Sequence, residues 1–347
     1  MTNYNLALLG FGNVGQAFAR LLIRKRSEML SQFNLTCQVT GIYTSRHGAA
    51  IHPSGLDLEQ ALAAMDRQDG SLQELSSQPQ PQDAIDFIQR CQGDVLFETS
   101  PVDYLTGEPA VTYLGTALKR GMHAVTANKG PVVHAHRQLT DLAESKGLKF
   151  YYESTVMDGA PIFSLFRETL PAARLLGFTA ILNSTTNLIL TRMEQGDTME
   201  SAIAYAQSIG VAETDPSGDV DGWDAAVKVA ALVTVLMGIP MKPDQVQREG
   251  IRGLDASRLQ EARSQGARWK LVCRARRQGK EVEASVKPEL VDPTSPLFNT
   301  EGTTSIAQFE TDVLGYFSVI ETDPGPETTA YGMLADFLNI VKGEMSP

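Results

Sequence analysis

The stretch Leu6–Leu22 reads LALLGFGNVGQAFARLL, and it predicts the fold of the first part of the chain. Its glycines fit the pattern G-x-G-x-x-G at Gly10, Gly12 and Gly15, between an apolar strand and a helix. In such a loop the first glycine makes a tight turn, the second lets a pyrophosphate approach the backbone and the helix N-terminus, and the third lets helix and strand pack closely. We therefore predict a dinucleotide-binding loop, with a glycine-rich turn as the alternative. The predicted contacts are Gly10, Gly12, Asn13, Val14 and Gly15.

The end of the second predicted strand indicates which dinucleotide is bound. Sites for NAD usually carry an acidic residue there, which binds the ribose 2′-hydroxyl. Here the strand ends in GIYTSRHG, where Thr44, Ser45 and Arg46 take that place. Hydroxyl and guanidinium groups suit a 2′-phosphate, because arginine forms charge-assisted, forked hydrogen bonds with it. We predict a preference for NADP(H), with NAD(H) also accepted; the alternative is that Arg46 is a solvated loop residue.

Strands and helices alternate through roughly the first 155 residues. This alternation predicts a parallel sheet with helices on both faces. The predicted strands are Asn5–Leu9, Cys37–Tyr43, Asp94–Thr99, His123–Ala127 and Lys149–Ser154. The predicted helices are Asn13–Arg24, Leu56–Met65, Pro81–Cys91, Val111–Arg120 and His134–Lys146.

The pattern changes to α+β in the remainder of the chain. A predicted helix over Ile162–Leu170 precedes the strand LLGFTAILN and a helix from Thr186. The segments WKLVCRARR, EVEASVKPEL and DVLGYFSVIE read as antiparallel strands. A final helix is predicted near Thr329–Lys342.

Composition and charge restrict the class of protein. The chain has 347 residues, enough for two domains, and 42% are hydrophobic and 20% charged, as in ordinary globular proteins. A net charge of −11 argues against nucleic acid or an anionic membrane as the main partner. The three cysteines are widely spaced without a CxxC pair, the start lacks a basic signal region, and the longest uncharged apolar run is too short for a bilayer. These features predict a cytoplasmic protein with reduced cysteines.

A single lysine follows an acid cluster in the stretch ETDPSGDVDGWDAAVK, residues 213–228. From Ala225 to Pro240 the only charged residue is Lys228, so its helix is apolar nearly all round and the lysine should be buried beside Asp224. Burying an ammonium costs several kcal/mol unless it is paired. With Glu213 and Asp219 nearby, the cluster could hold an amino acid and move a proton. A purely structural ion pair, or a first helical turn in contact with water, is the alternative.

A second lysine follows a predicted strand in HAVTANKGPVV, where Lys129 comes after Asn128. In open α/β sheets, ligands bind at the carboxyl ends of the strands. The turn is therefore a candidate part of the site, although an Asn-Lys-Gly turn can also be an ordinary loop.

These stretches together resemble homoserine dehydrogenases. The matching segments follow the family's order and cover most of the chain. They are LLGFGNVGQAFARLL, TSPVDYLTGEPAVTYLGTALKRGMHAVTANKGPV, YYESTVMDGAPIF, LNSTTNLILTRM, AETDPSGDVDGWDAAVKVA and TTAYGMLADFLN.

The resemblance implies a reaction and roles for several residues. The reaction is the reversible NAD(P)-dependent reduction of L-aspartate 4-semialdehyde to L-homoserine, in the biosynthesis of threonine, methionine and isoleucine. Lys129 and Lys228 look like the catalytic lysines, since an ammonium near the aldehyde oxygen can stabilise the alkoxide and donate a proton. Implied substrate contacts are Glu213, Asp219, Asp224 and Thr185, and further coenzyme contacts are Thr99, Ser100, Lys129 and Gly325.

The family also implies a monovalent cation, Na⁺ or K⁺. Its ligands map to Glu153, Val156, Asp158 and Ala160, with a structural turn as the alternative. Two loops depart from the family pattern: V-x-G-G-x-P is replaced by VMDGAP, and a glycine-rich run near the C-terminus appears as TDPGPETTAYG, which keeps only Gly325. Both departures bear on the coenzyme and the cation more than on the reaction.

The fold class implied is α/β: an N-terminal Rossmann domain and an α+β catalytic and dimerisation domain, with the C-terminal helix returning to the Rossmann domain. The predicted domains are residues 1–135 with 328–347 and residues 136–327, in a homodimer. The chain ends after its last predicted helix, so we expect no regulatory extension and no strong inhibition by threonine.

Three alternatives compete with this function. Oxidoreductases similar to glucose–fructose oxidoreductase usually have an E-K-P turn where this chain has Asn-Lys-Gly. Aspartate semialdehyde dehydrogenase needs an activated cysteine, and Cys91 and Cys273 have no base in view. A non-catalytic dinucleotide sensor would not need the two lysines.

Overall fold

A computed structural model describes residues 1–67 and 70–345 of the chain. The chain divides into two compact units: unit 1 is residues 1–159 with 325–347, and unit 2 is residues 160–324. The two domains predicted from the sequence, for coenzyme and for substrate, are defined by function, and their boundaries stay a prediction. Residues 346 and 347 of the predicted coenzyme domain lie outside the described residues.

Unit 1 contains a six-stranded sheet with the strand order β3-β2-β1-β4-β5-β6. The strands are β1 Thr2–Leu9, β2 Leu35–Thr44, β3 Gly48–Ile51, β4 Val95–Glu98, β5 His123–Thr126 and β6 Phe150–Tyr151. All neighbouring strands are parallel except β3, which is antiparallel to β2. The predicted parallel sheet is confirmed, with one antiparallel edge strand added.

Helices cover both faces of this sheet. They are α1 Asn13–Arg24, α2 Arg26–Phe33, α3 Leu58–Met65, α4 Ala84–Arg90, α5 Ala110–Lys119, α6 Lys129–Ser145 and α12 Pro326–Met345. On one face, Phe18 of α1, Phe97 of β4 and Phe337 of α12 pack together, with ring centroids 4.4 and 5.9 Å apart. On the other face, Leu96 belongs to a separate core cluster with Phe87 of α4. The last helix is thus part of the core of unit 1, as predicted.

Unit 2 contains a second six-stranded sheet, with the strand order β12-β11-β7-β9-β10-β8. The strands are β7 Leu175–Ile181, β8 Gln247–Arg248, β9 Arg268–Gln278, β10 Glu281–Val291, β11 Ser305–Thr311 and β12 Gly315–Glu321. The pairs are antiparallel except β10 with β8. The helices are α7 Ser184–Glu194, α8 Met199–Ser208, α9 Ser217–Val220, α10 Trp223–Leu236 and α11 Ala256–Ser264.

Several elements differ from the sequence prediction. Helix α6 begins at Lys129 instead of His134, because the Asn128 side chain accepts a hydrogen bond from the N–H of Gly130 and caps the helix. The helix predicted over Ile162–Leu170 is π-helical over Leu165–Thr169.

Within residues 1–67 and 70–345, no helix has the length and apolar character needed to cross a membrane.

Candidate active site

The glycine loop of unit 1 has the geometry of a ligand-binding turn. Gly10 has a φ of +100°, and a Cβ there would lie 2.5 Å from the Oγ1 of Thr99, so a larger residue is excluded. A Cβ on Gly15 would lie 2.5 Å from the carbonyl oxygen of Gly10, so this glycine allows helix α1 to pack closely. Gly12, by contrast, has open space around its missing side chain and caps α1 without a side-chain hydrogen bond. Asn13 and the half-buried Val14 follow it.

Thr99 and Ser100 lie beside this loop at the carboxyl end of β4. The Thr99 hydroxyl donates to the carbonyl of Gly10 at 3.1 Å, and the Thr99 N–H donates to the carbonyl of Leu9 at 2.8 Å. The structure therefore brings the predicted coenzyme contacts Thr99 and Ser100 together with the glycine loop.

Ser45 and Arg46 follow β2, which is the neighbour of β1. The N–H of Gly10 donates to the carbonyl of Tyr43 at 2.9 Å, so the end of β2 and the glycine loop are adjacent. Ser45 and Arg46 are both exposed, and no ion pair joins Arg46 to another of the described residues. Thr44 accepts a hydrogen bond from the N–H of His47 and shapes the turn that presents them.

Lys129 is the first residue of α6, directly after the turn that follows β5. The side chain of Asn128 donates to the carbonyls of Ser100 and Pro101, at 3.3 and 3.4 Å. These hydrogen bonds therefore join the turn that carries Lys129 to the turn that carries Ser100.

A buried acid that the sequence analysis did not single out, Glu98, lies beneath these two turns. It is fully buried at the end of β4 and accepts hydrogen bonds from the Thr126 hydroxyl, at 2.6 Å, and from the N–H and hydroxyl of Ser100. Burial raises the pKa of Glu98, and these hydrogen bonds counteract the shift. The available signal was an acid inside the apolar strand VLFE.

In unit 2, Lys228 lies on the nearly all-buried helix α10, as its sequence predicted. Its Nζ is 3.2 Å from the Oδ2 of Asp224, one helical turn earlier, and donates to the carbonyl of Leu182 at 2.6 Å. These two acceptors use two of the three N–H donors of the ammonium. No other described residue accepts from Lys228, so its third donor is available to a ligand.

Asn183 connects the acids of this cluster. Its Nδ2 donates to Asp219 at 2.6 Å and to Asp224 at 2.9 Å, and its Oδ1 accepts from the N–H of Thr186 and caps α7. Burial, and then the nearby Asp224 carboxylate, raise the pKa of Asp219. A bound cation next to Asp219 would offset both effects, so the cluster suits a ligand with an ammonium group.

The remaining predicted substrate contacts are placed differently. Thr185 is buried in the first turn of α7, where its hydroxyl donates to the carbonyl of Val211 at 3.2 Å. Glu213 is exposed, and among the described residues only its backbone carbonyl has a partner, the side chain of Gln207. The structure thus brings Asp219, Asp224 and Lys228 together and leaves Glu213 outside the cluster.

The sequence of this chain matches two protein-family models. The model for the homoserine dehydrogenase NAD binding domain matches residues 10–153, and the model for homoserine dehydrogenase matches residues 161–338. The chain belongs to the homoserine dehydrogenase family. The alternatives considered from the sequence are not favoured.

Individual relatives extend this likeness to the whole chain. An NAD(+)-dependent homoserine dehydrogenase of Pseudomonas canavaninivorans is 34% identical over 349 residues, covering 98% of this chain and 97% of that protein. A homoserine dehydrogenase of Methanocaldococcus jannaschii is 34% identical over 337 residues, covering 97% and 98%. The structure of a hyperthermophilic archaeal homoserine dehydrogenase in complex with NADPH has a TM-score of 0.83 at 28% identity, covering 100% of this chain and 99% of that one.

The loops in which this member of the homoserine dehydrogenase family departs from the family pattern contact each other in unit 1. Asp158, where the pattern has glycine, has a φ of +35°, which aspartate tolerates better than most residues. The hydroxyl of Thr328 accepts from the N–H of Gly325 at 2.9 Å and donates to its carbonyl at 2.8 Å, and it lies 3.4 Å from the Oδ2 of Asp158. Of the predicted cation ligands, Glu153, Val156 and Asp158 lie in unit 1, and Ala160 is the first residue of unit 2.

The cysteines show no sign of activation. Cys91 and Cys273 are free and buried, and burial raises the pKa of their thiols to about 11 and about 12. Nucleophilic cysteines have lowered pKa values instead, which argues against the chemistry of an aspartate semialdehyde dehydrogenase.

Proposed function

We propose that this chain catalyses the reversible reduction of L-aspartate 4-semialdehyde to L-homoserine with NAD(P)H. The observation that carries the proposal is the cluster of Lys228, Asp224, Asn183 and Asp219 in unit 2, within a chain of this family. It combines one ammonium with a spare donor and two carboxylates, which suits an amino acid that also carries an aldehyde.

Lys228 is proposed to handle the oxygen that changes bonding. The bound coenzyme supplies the hydride. The free N–H of Lys228 donates to the aldehyde oxygen, stabilises the negative charge that develops there and gives up its proton. Asp224 and the carbonyl of Leu182 hold the ammonium in place throughout.

The substrate's amino acid end is assigned to the surrounding groups. Asp219 accepts from the substrate ammonium, and the N-terminal turn of α7, with Thr185, binds its carboxylate. Glu213 contributes to the ammonium site only if its exposed side chain turns inward. Lys129 is proposed as the second catalytic lysine and as a contact of the coenzyme.

The coenzyme loop and Gly325 are proposed to hold NADP(H) in preference to NAD(H). Support comes from the hydroxyl of Ser45 and the guanidinium of Arg46, which are exposed after β2, at the place where a site for NAD usually carries an acid. One relative is NAD(+)-dependent and one structural neighbour binds NADPH. A monovalent cation at Glu153, Val156, Asp158 and Ala160, a homodimer and a cytoplasmic location remain further proposals.

The experiment that tests this function measures the oxidation of the reduced coenzyme by its absorbance. The parent protein is supplied with L-aspartate 4-semialdehyde and NADPH or NADH, beside Lys228→Ala. We expect activity in the parent and a kcat lower by about a hundredfold or more in the variant, the usual contribution of a general acid. Lys280→Ala is the matched control, because Lys280 is an exposed lysine in the turn between β9 and β10 and should leave the rate unchanged. A folded parent that binds coenzyme but leaves the semialdehyde unreduced would refute the proposal.

A further inference from the structure

Glu98 has no part in the proposed reaction, yet it is a fully buried carboxyl at the carboxyl end of β4. A buried carboxyl is unfavourable unless hydrogen bonds satisfy it. The described contacts satisfy both of its oxygens: Oε1 accepts from the N–H and hydroxyl of Ser100, and Oε2 accepts from the hydroxyl of Thr126. Because burying a carboxyl is costly, packing alone does not explain why Glu98 occupies this position.

The hydrogen bonds continue from Glu98 to the turn that carries Lys129. The Thr126 hydroxyl donates to Glu98 at 2.6 Å and accepts from the N–H of Asn128 at 2.9 Å. Asn128 in turn accepts from the N–H of Gly130 at 2.9 Å and caps the helix that begins with Lys129. A continuous series of hydrogen bonds thus runs from Glu98 through Thr126 to Asn128, the residue before Lys129.

The same acid also holds the neighbouring turn. Ser100 is fixed by Glu98 at both its N–H and its hydroxyl, and its carbonyl accepts from the side chain of Asn128. The turns after β4 and β5 are therefore joined by two routes. One runs through the side chains of Glu98 and Thr126, and the other through the side chain of Asn128.

We propose that Glu98 and Thr126 are positioning residues, and that they set the place of Lys129 relative to Ser100 through the backbone of Asn128. This inference rests on the proposed role of Lys129. A carboxylate is needed because it accepts from both sides, whereas a glutamine amide has one accepting oxygen and must turn its NH₂ towards a donor. A misplacement of about 1 Å at a catalytic group can cost about a hundredfold in rate.

The test compares Thr126→Val, Thr126→Ser and Thr40→Val in the full chain. Thr40 is a matched control, because it is also fully buried in a strand of the same sheet, but its hydroxyl donates to the carbonyl of Gln92 at 2.8 Å. We expect Thr126→Val to lower kcat by about tenfold or more, with a smaller loss of coenzyme affinity because Lys129 is also a proposed coenzyme contact. Thr126→Ser keeps the hydroxyl and should restore the rate, and Thr40→Val should match the parent.

A double-mutant cycle with Glu98→Gln tests whether the two residues act together. If they form one series, the double variant loses no more rate than Glu98→Gln alone, because Glu98→Gln already disturbs the bond to Thr126. Losses that multiply, or a Thr126→Val rate equal to that of Thr40→Val, would overturn the proposal.

Crystal structures of Thr126→Val and Thr40→Val separate this inference from the proposed function. If the parent has no activity, the proposed function fails, and the structures still decide the positioning role. A displaced Asn128–Lys129 turn in Thr126→Val alone supports it, and an unmoved turn refutes it.

Discussion

At the scale of single residues, two lysines of unit 2 show different ways of stabilising a buried ammonium. Lys228 contacts a carboxylate directly, 3.2 Å from Asp224. Lys270 is fully buried and donates to the carbonyl of Thr300, at 2.6 Å, and to the side-chain oxygen of Asn187, at 3.3 Å. Since no charged partner within bonding distance is among these contacts, burial lowers the pKa of Lys270 to about 8.

This lowered pKa predicts how stability changes with pH. Between pH 8 and the ordinary value of 10.5, the unfolded chain binds more protons at Lys270 than the folded chain does, so the free energy of unfolding should rise with pH. The contribution is about 3 kcal/mol across the window, at about 1.4 kcal/mol for each pKa unit. Denaturant unfolding from pH 7 to 10.5 measures it, and in Lys270→Met this part of the rise should be absent. Parallel pH profiles for the two proteins would contradict the prediction.

Arg46 predicts coenzyme choice. Its exposed guanidinium would bind the 2′-phosphate of NADP, whereas NAD has no such group. Arg46→Ala should therefore raise the KM for NADP by about tenfold, the usual loss of one charge-assisted contact, and leave that for NAD nearly unchanged. The control is Arg137→Ala, an exposed arginine of α6 that pairs with Asp141. An unchanged KM for NADP would refute the 2′-phosphate assignment.

At the scale of elements, local signals predicted some structures and missed others. Helix α1 was predicted with its observed bounds, Asn13–Arg24, because the glycine loop marks its start. Helix α6 begins five residues before its predicted start, because Asn128 caps it and Pro131 is tolerated in its first turn. The strands β3 and β11 were not predicted, since their ladders depend on partners elsewhere in the chain.

The contacts of the candidate site also divide into those that the sequence predicted and those that it could not. Asp224 and Lys228 were paired from the sequence because a spacing of four residues places them on one helix face. The connecting role of Asn183 could not be read from spacing, since its partners lie 36 and 41 residues away. Glu98 was missed for the same reason: its partner Thr126 is on the neighbouring strand, 28 residues later.

At the scale of the whole molecule, one face of the sheet in unit 2 is left open. Tyr316 and Ile320 of β12 are 63% and 60% exposed there, beside the ion pairs Arg274–Glu289 and Arg276–Glu310. Exposed apolar side chains with a polar surround are typical of protein interfaces. This face is the surface on which we place the proposed homodimer.

The dimer prediction is tested with Ile320→Glu. A buried carboxylate in the interface should weaken dimerisation by about tenfold or more, measured by light scattering across a dilution series. Leu105→Glu is the control, because Leu105 is 82% exposed and belongs to unit 1, which does not contain this sheet. A parent that is monomeric throughout, or an Ile320→Glu protein that stays dimeric, would contradict it.

The return of α12 to unit 1 sets an order for folding on the ribosome. Phe337 and its neighbours complete the core under β1 and β4, yet they follow the whole of unit 2 in the chain. Unit 2, residues 160–324, is a continuous segment that is synthesised in full before them. The nascent chain therefore carries an N-terminal sheet with a partly uncovered apolar face at least until unit 2 has been synthesised, and it is in this interval that the sheet is most exposed to aggregation and most in need of a chaperone.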